Sequence, residues 1–398
     1  MKRLPIILIP FLFLFSCTPS APTTKMELTQ PEEPIAIPVQ TLEGLDEATP
    51  ETGASQNPNF LSYISTSSAS FNPEKGEDLN IHFRLSNKAK VKTTVYDPDF
   101  AVVRNLDHGG FLKAGMHTSV WDGKDMDGKV VPDETYFFVV TATDEKGNEQ
   151  IYDPTAFSGG EGHDLTEVTI DPDTKVITYR LPVMARVLIR LGVQDGPLLK
   201  TLVDWQPRVA GEITEYWNGR DQDSLIDLLN HPRFKMLITY FTLPENSVIT
   251  YGNNIVDYRG YKKSIGAKRT VKARIVRAEA LLSPHYQLPR TVDYSPMLKL
   301  SLSNIKSYDR EDVPILQGKT QVKVDIDESD KSFFANQQYE ITLFLDTEFY
   351  AEQEMGYVPF NWVWDLSNVS EGEHILTVNL SGFKDQIGVL SKKINVIN

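Results

Sequence analysis

The sequence predicts an all-β protein: three sandwiches in tandem behind an export signal and an unstructured tether. Three observations carry that prediction. A short apolar run ends at the only cysteine in 398 residues, a segment repeats at a spacing of 96 residues, and strand-like alternation broken by turn residues runs from about residue 60 to the end.

The N-terminus comes first. Lys2 and Arg3 precede an apolar run from Leu4 to Phe15, followed by Ser16 and Cys17. A charged start, a short apolar stretch and a small residue at a cleavage point make an export signal. The run is about a dozen residues, whereas a membrane-spanning helix needs about 20, so a transmembrane reading fails on length. Leu14-Phe15-Ser16-Cys17 resembles a bacterial lipobox, which implies cleavage between Ser16 and Cys17 and lipidation of Cys17. Thr18, with no aspartate at that position, resembles lipoproteins sorted to the outer membrane. The expectation is therefore a lipid-anchored envelope protein, with the periplasmic or surface face left open. One cysteine also excludes an intrachain disulfide.

Residues 17–59 read as a tether. Seven prolines punctuate residues 18–59, acidic residues are frequent, and Lys25 is the only base. Such a stretch buries too little apolar area to offset its ordering entropy. Cleavage removes Lys2 and Arg3, taking the formal charge from −14 to −16. Phosphate recognition needs basic surface, so an acidic chain of this kind is not a general nucleic-acid binder.

Residues 60–152 and 153–250 are two copies of one unit. Asn80–Asp127 matches Val176–Asp223 without gaps: Arg84 and Leu85 fall on Arg180 and Leu181, and Trp121, Gly123, Asp125 and Asp127 fall on Trp217, Gly219, Asp221 and Asp223. Ile81, Phe83 and Leu85 alternate with His82 and Arg84, the period of a half-buried strand. Turn residues follow at Asp97-Pro98-Asp99 and His108-Gly109-Gly110. Short strands at this spacing over about 90 residues argue for a β-sandwich. Trp121 and Trp217 are read as core residues at equivalent positions, where an indole supplies large apolar area.

The stretch Lys90–Leu106, the Lys113-Ala114-Gly115 turn, Trp121-Asp122-Gly123-Lys124-Asp125-Met126-Asp127-Gly128 and Val131-Pro132-Asp133-Glu134-Thr135-Tyr136 together resemble the immunoglobulin-like domain of the flagellar hook-cap protein, FlgD. The second copy, with Trp217-Asn218-Gly219-Arg220-Asp221, is a more divergent relative. The resemblance implies a sandwich used for assembly or interaction rather than a catalytic centre. Residues 294–398 resemble another bacterial immunoglobulin-like domain through the Gly372-Glu373-His374 turn and the alternation of Leu376, Val378 and Leu380 with Thr377, Asn379 and Ser381. The fold class is thus three immunoglobulin-like sandwiches, with residues 251–293 as a connector.

Two groups of residues stand out chemically. Asp122, Asp125 and Asp127 resemble part of a calcium loop, but the flanks read as strands and a full EF-hand loop also needs a glutamate at position 12. They are read as turn residues, with calcium the weaker candidate. The connector carries Arg259, Lys262, Lys263, Lys268, Arg269, Lys272, Arg274 and Arg277, with no acidic residue between Tyr258 and Ala278. Either these cations meet an acidic partner through charge-assisted contacts, or they neutralise the chain's own acidic surface. The histidines show no metal spacing, no nucleophile elbow is present, and no cofactor is expected.

The functional expectation is a non-catalytic envelope scaffold that binds a protein or surface polymer. The alternative is a carbohydrate-binding or polysaccharide-processing accessory. Exposure of Trp362 or Trp364 favours the alternative, and burial of both favours the scaffold.

Overall fold

The computed structural model describes residues 59–253, 255–266, 269–278, 280–334, 337–382, 384 and 386–397. Ser16 and Cys17, the tether up to residue 58, and Lys268 lie outside the described residues. Alternation dictates the first sandwich. In Leu79–Leu85 the four residues Leu79, Ile81, Phe83 and Leu85 are buried while Arg84 is exposed. This strand lies between Leu61–Thr66 and Gly115–Trp121, antiparallel to both. The facing sheet is built on Ala89–Tyr96, Val102–Leu112 and Thr135–Asp144. Trp121 closes the core between the sheets, edge-on to Phe71 and Tyr136.

The second sandwich repeats this plan. Val176–Leu181 lies between Val168–Ile170 and Gly211–Tyr216, and the facing sheet runs Leu198–Arg208, Ala185–Val193, Phe234–Thr242, Gly162–Leu165. The repeat extends to single hydrogen bonds. Trp121 Nε1 donates to the carbonyl of Lys124 at 2.9 Å, and Trp217 Nε1 donates to that of Arg220 at 2.8 Å. In each case the indole N–H is satisfied by the turn three residues on, so the ring is buried without an unpaired donor.

One strand departs from the sequence boundary at residue 250. Val248–Thr250 pairs with Tyr136 and Thr135 of the first sandwich and, in parallel, with Ser70–Phe71. The chain therefore leaves the second sandwich and returns to complete the first. Three residues carry no periodic signal that could announce this.

In the third sandwich, Pro314–Ile326 lies between Leu298–Tyr308 and Phe360–Asp365, antiparallel to both. Its first residues pair in parallel with Asn395 and Val396, joining this layer to the sheet of Tyr339–Leu345, Glu348–Gln353, Gly372–Gly382 and Ile387–Val396. Leu376, Val378 and Leu380 face the core. Thr377 and Asn379 on the opposite face are buried as well, because that face meets the second sandwich. Asn379 accepts from Leu198 N at 2.9 Å and donates to Leu198 O at 2.8 Å. Residues 59–398 form one compact unit.

Candidate functional site: a basic connector closed onto acidic turns

The connector opens with a helix, Tyr258–Ile265, whose N-cap Asp257 accepts from Gly260 N at 2.6 Å. Tyr258 and Tyr261 are three residues apart, hence on one face, and both are buried against the first sandwich. Residues 270–272 run antiparallel to the start of a sandwich strand. Val102 N donates to Thr270 O and Lys272 N to Phe100 O, each at 2.9 Å, so a short stretch of connector pairs with the start of a sandwich strand.

The acidic turns are built to receive it. Asp97 uses Oδ1 to accept from Asp99 N and Ala101 N at 3.0 and 2.9 Å, and Oδ2 accepts from Lys262 Nζ at 2.8 Å. Asp125 divides its oxygens in the same way. Oδ1 caps its own turn through Asp127 N at 2.9 Å and Lys129 N at 3.0 Å, while Oδ2 accepts from Tyr261 Oη at 2.9 Å and Arg269 Nη2 at 2.6 Å. Burial would push the Asp125 carboxyl up, but the Lys129 N–H, Arg269 and Tyr261 outweigh it and hold the group below its ordinary range. Asp97 goes the other way: its burial exceeds the help from Lys262, and its carboxyl is pushed up.

The remaining cations follow suit. Lys272 Nζ lies 2.7 Å from Asp153. Arg274 stacks 4.3 Å over Phe100 and donates to Pro98 O. Arg277 donates to Gly159 O and lies 3.5 Å from Glu161. Arg259 reaches across to Asp330 of the third sandwich at 2.7 Å, and Lys263 is exposed. Of the calcium candidates, Asp122 accepts from Lys124 N at 3.1 Å, and Asp127 stands 3.9 Å from Arg269. Among the described residues no group of three or more His, Cys, Asp or Glu is arranged to hold a metal ion.

The corresponding turn of the second copy also faces the module that follows. Asp223, at the position of Asp127, accepts from Ser391 N of the third sandwich at 2.6 Å.

A deeper charge cluster escaped the sequence. Glu134 is fully buried, and Arg186 of the second sandwich grips its two oxygens at 2.7 and 3.1 Å. Arg290, from the end of the connector, approaches at 3.2 Å and lies 4.0 Å over the Tyr294 ring. Burial would raise the Glu134 carboxyl, and the two guanidinium groups more than reverse that, so its pKa is lowered. One carboxylate thus joins the first sandwich, the second and the connector. The partners lie 52 and 156 residues away in the chain, and no local pattern links them. Beside this lock, Tyr286 packs between Phe100 and Phe241, next to a cavity of about 30 Å³, room for about one water.

Two further constellations resemble chemistry. His374 Nδ1 stands 2.5 Å from Asp346, and Nε2 is 3.3 Å from the Ser370 hydroxyl but only 2.8 Å from the Ser370 carbonyl. Both ring nitrogens face acceptors, which favours the imidazolium. Burial opposes that charge, but Asp346 and the Ser370 carbonyl prevail and raise the pKa. A doubly protonated ring pins a turn and cannot take a proton from serine. Trp364 is buried, and Trp362, partly buried, stacks on it at 5.4 Å with Tyr350 edge-on to both.

Residues 68–146, which hold Asp97, Asp99, Asp125, Asp127 and Glu134, match the family model described as the FlgD Ig-like domain. This stretch is a FlgD-type immunoglobulin-like domain. The basal-body rod modification protein FlgD of Salmonella typhimurium is 41% identical over 73 residues, 18% of this chain and 31% of the relative. FlgD of Escherichia coli is 36% identical over the same length. The chain thus spans about a third of these relatives. Among solved structures, the fibronectin(III)-like modules of Clostridium thermocellum CbhA are similar at 11% identity, covering 84% of this chain and 94% of that one, with a TM-score of 0.19. The FlgD-type domain is accordingly the one that receives the connector. Among the described residues no helix is long and apolar enough to cross a membrane, which leaves strands unaddressed.

Proposed function

We propose that this protein is a non-catalytic, lipid-anchored envelope scaffold. In this reading Cys17 carries the lipid, the tether spaces the body from an outer membrane, and the sandwiches present their surfaces to a protein or polymer partner. The observation that carries it is the Glu134–Arg186–Arg290 lock. It holds two sandwiches and the connector at one buried point, and a scaffold must keep its modules in fixed relation. The connector is assigned the role of an internal clamp, because six of its eight cations meet acceptors of the chain itself. Burial of Trp364 and the stacking of Trp362 on it support the scaffold over a sugar-binding aromatic platform.

The test has two arms. Cys17→Ser is expected to move the protein out of the membrane fraction and abolish labelling by a fatty-acid analogue; retained labelling overturns the anchor. Cross-linking in intact envelopes is expected to recover a defined partner with the wild-type chain, and recovery of none overturns the scaffold.

A further inference from the structure

Most buried or half-buried carboxylates described above have cations or N–H donors of their own. One edge of the third sandwich breaks that pattern. The strand Glu348–Gln353 pairs with Tyr339–Leu345 and has no strand on its other side among the described residues. Glu352 and Glu354 are exposed and Glu340 is half-buried beside them. Among the described residues none of the three has an ion pair, and burial, then Glu352 and Glu354, push the Glu340 carboxyl up.

Charges on an open edge are often protective, since they deter pairing with another chain. Protection alone does not call for large apolar side chains beside them. Here Phe349 is 57% exposed, Met355 80% and Tyr357 53%. The register places Phe349 opposite Phe344 and Glu352 opposite Thr342, so Phe349 and Glu352 share one face, with Tyr350 bulged between them. An open backbone edge, an apolar side chain and an unmatched carboxylate on one face ask for one kind of ligand. It is extended, offers its own N–H and C=O groups, and bears both a cation and an apolar residue on the matching face.

We propose that Glu348–Gln353 is a docking edge that adds an extended segment of a partner protein as a further strand, with a basic and an apolar residue two positions apart and therefore on one face. The mode is β-augmentation: backbone pairing supplies affinity and the alternate side chains supply selectivity. This rests on the scaffold reading and names the partner chemistry that one end of the scaffold takes. The connector of a second copy fits poorly, because six of its eight cations are already held by its own chain.

The experiment uses the full chain and three fluorescent octapeptides: Lys-Thr-Val-Thr repeated twice, which puts lysine and valine on one face, the same peptide N-methylated at every amide, and Lys-Val-Thr-Thr repeated twice, which has the same composition but puts them on opposite faces. The Lys-Thr-Val-Thr peptide is expected to bind about tenfold or more tighter than the other two, a difference of about 1.4 kcal/mol. Glu352→Lys with Glu354→Lys is expected to weaken it about tenfold, and Phe349→Ser to weaken it without altering its salt dependence. Both sites are exposed, so unchanged circular dichroism serves as the folding control. Equal binding of the methylated or the opposite-face peptide, binding unaffected by the variants, or no binding of the Lys-Thr-Val-Thr peptide overturns the proposal. In those cases continued partner recovery from envelopes leaves the scaffold reading standing, and loss of recovery by the wild type removes both.

Discussion

Replacing Glu134 by glutamine removes one charge and leaves Arg186 and Arg290 buried, with side chains 3% and 4% exposed. The magnitude follows from that burial. An intact buried pair contributes little net stability, because desolvation offsets attraction, but removing one partner strands the other and costs about 3–5 kcal/mol. Arg290 retains the carbonyls of Asp293 and Asp204, and Arg186 that of Trp205, which places the expectation near the lower end, about 3 kcal/mol. Guanidinium denaturation followed by tryptophan emission reads it well, because Trp205 sits beside the lock with Arg186 donating to its carbonyl. The pH dependence has a fixed sign. The folded pKa of Glu134 lies below its unfolded value, so its contribution is present above the unfolded pKa and is lost as pH falls through the folded one. Wild type and Glu134→Gln are therefore expected to converge in acid. Replacing Glu134, Arg186 and Arg290 together by apolar residues of similar size should recover most of the loss. A loss under about 1 kcal/mol for Glu134→Gln, or a gap that widens in acid, refutes the lock.

Three other outcomes are expected. Trp121→Ala and Trp217→Ala should each cost about 3–5 kcal/mol, with hydrogen-exchange protection lost chiefly in the sandwich that carries the substitution; equal loss in both denies that each ring supports its own core. His374 has a folded pKa above its unfolded value, so its contribution is complete below the unfolded pKa and fades as pH rises through the folded one. The stability gap between wild type and His374→Gln should thus shrink from mildly acidic to mildly alkaline pH, and a growing gap contradicts the imidazolium. Arg269→Glu sets a carboxylate against Asp125 and should speed hydrogen exchange across residues 258–272 many-fold while the third sandwich keeps its protection; unchanged exchange there denies the clamp.

Much of the fold is legible in the chain because its causes are local. Alternation in Leu79–Leu85 selects the buried face whatever the rest of the molecule does, and the turn at Trp121–Gly128 announces itself again at Trp217–Ser224. The same holds for the sites: Asp97, Asp125 and the connector cations are visible as charge, and their residue types fix what they can do. The sequence by itself therefore determined the all-β class, the two-fold repeat with its paired tryptophans, and a positive segment inside an acidic chain. It did not determine what that segment touches. Tertiary structure decided that Lys262 meets Asp97 and Arg269 meets Asp125, that Val248–Thr250 returns to the first sandwich, and that Glu134 sits between Arg186 and Arg290. The reason is physical. Side-chain period reports only which face of an element is apolar, whereas the choice of ionic partner depends on distances between segments far apart in the chain, and those exist only once the sandwiches have packed.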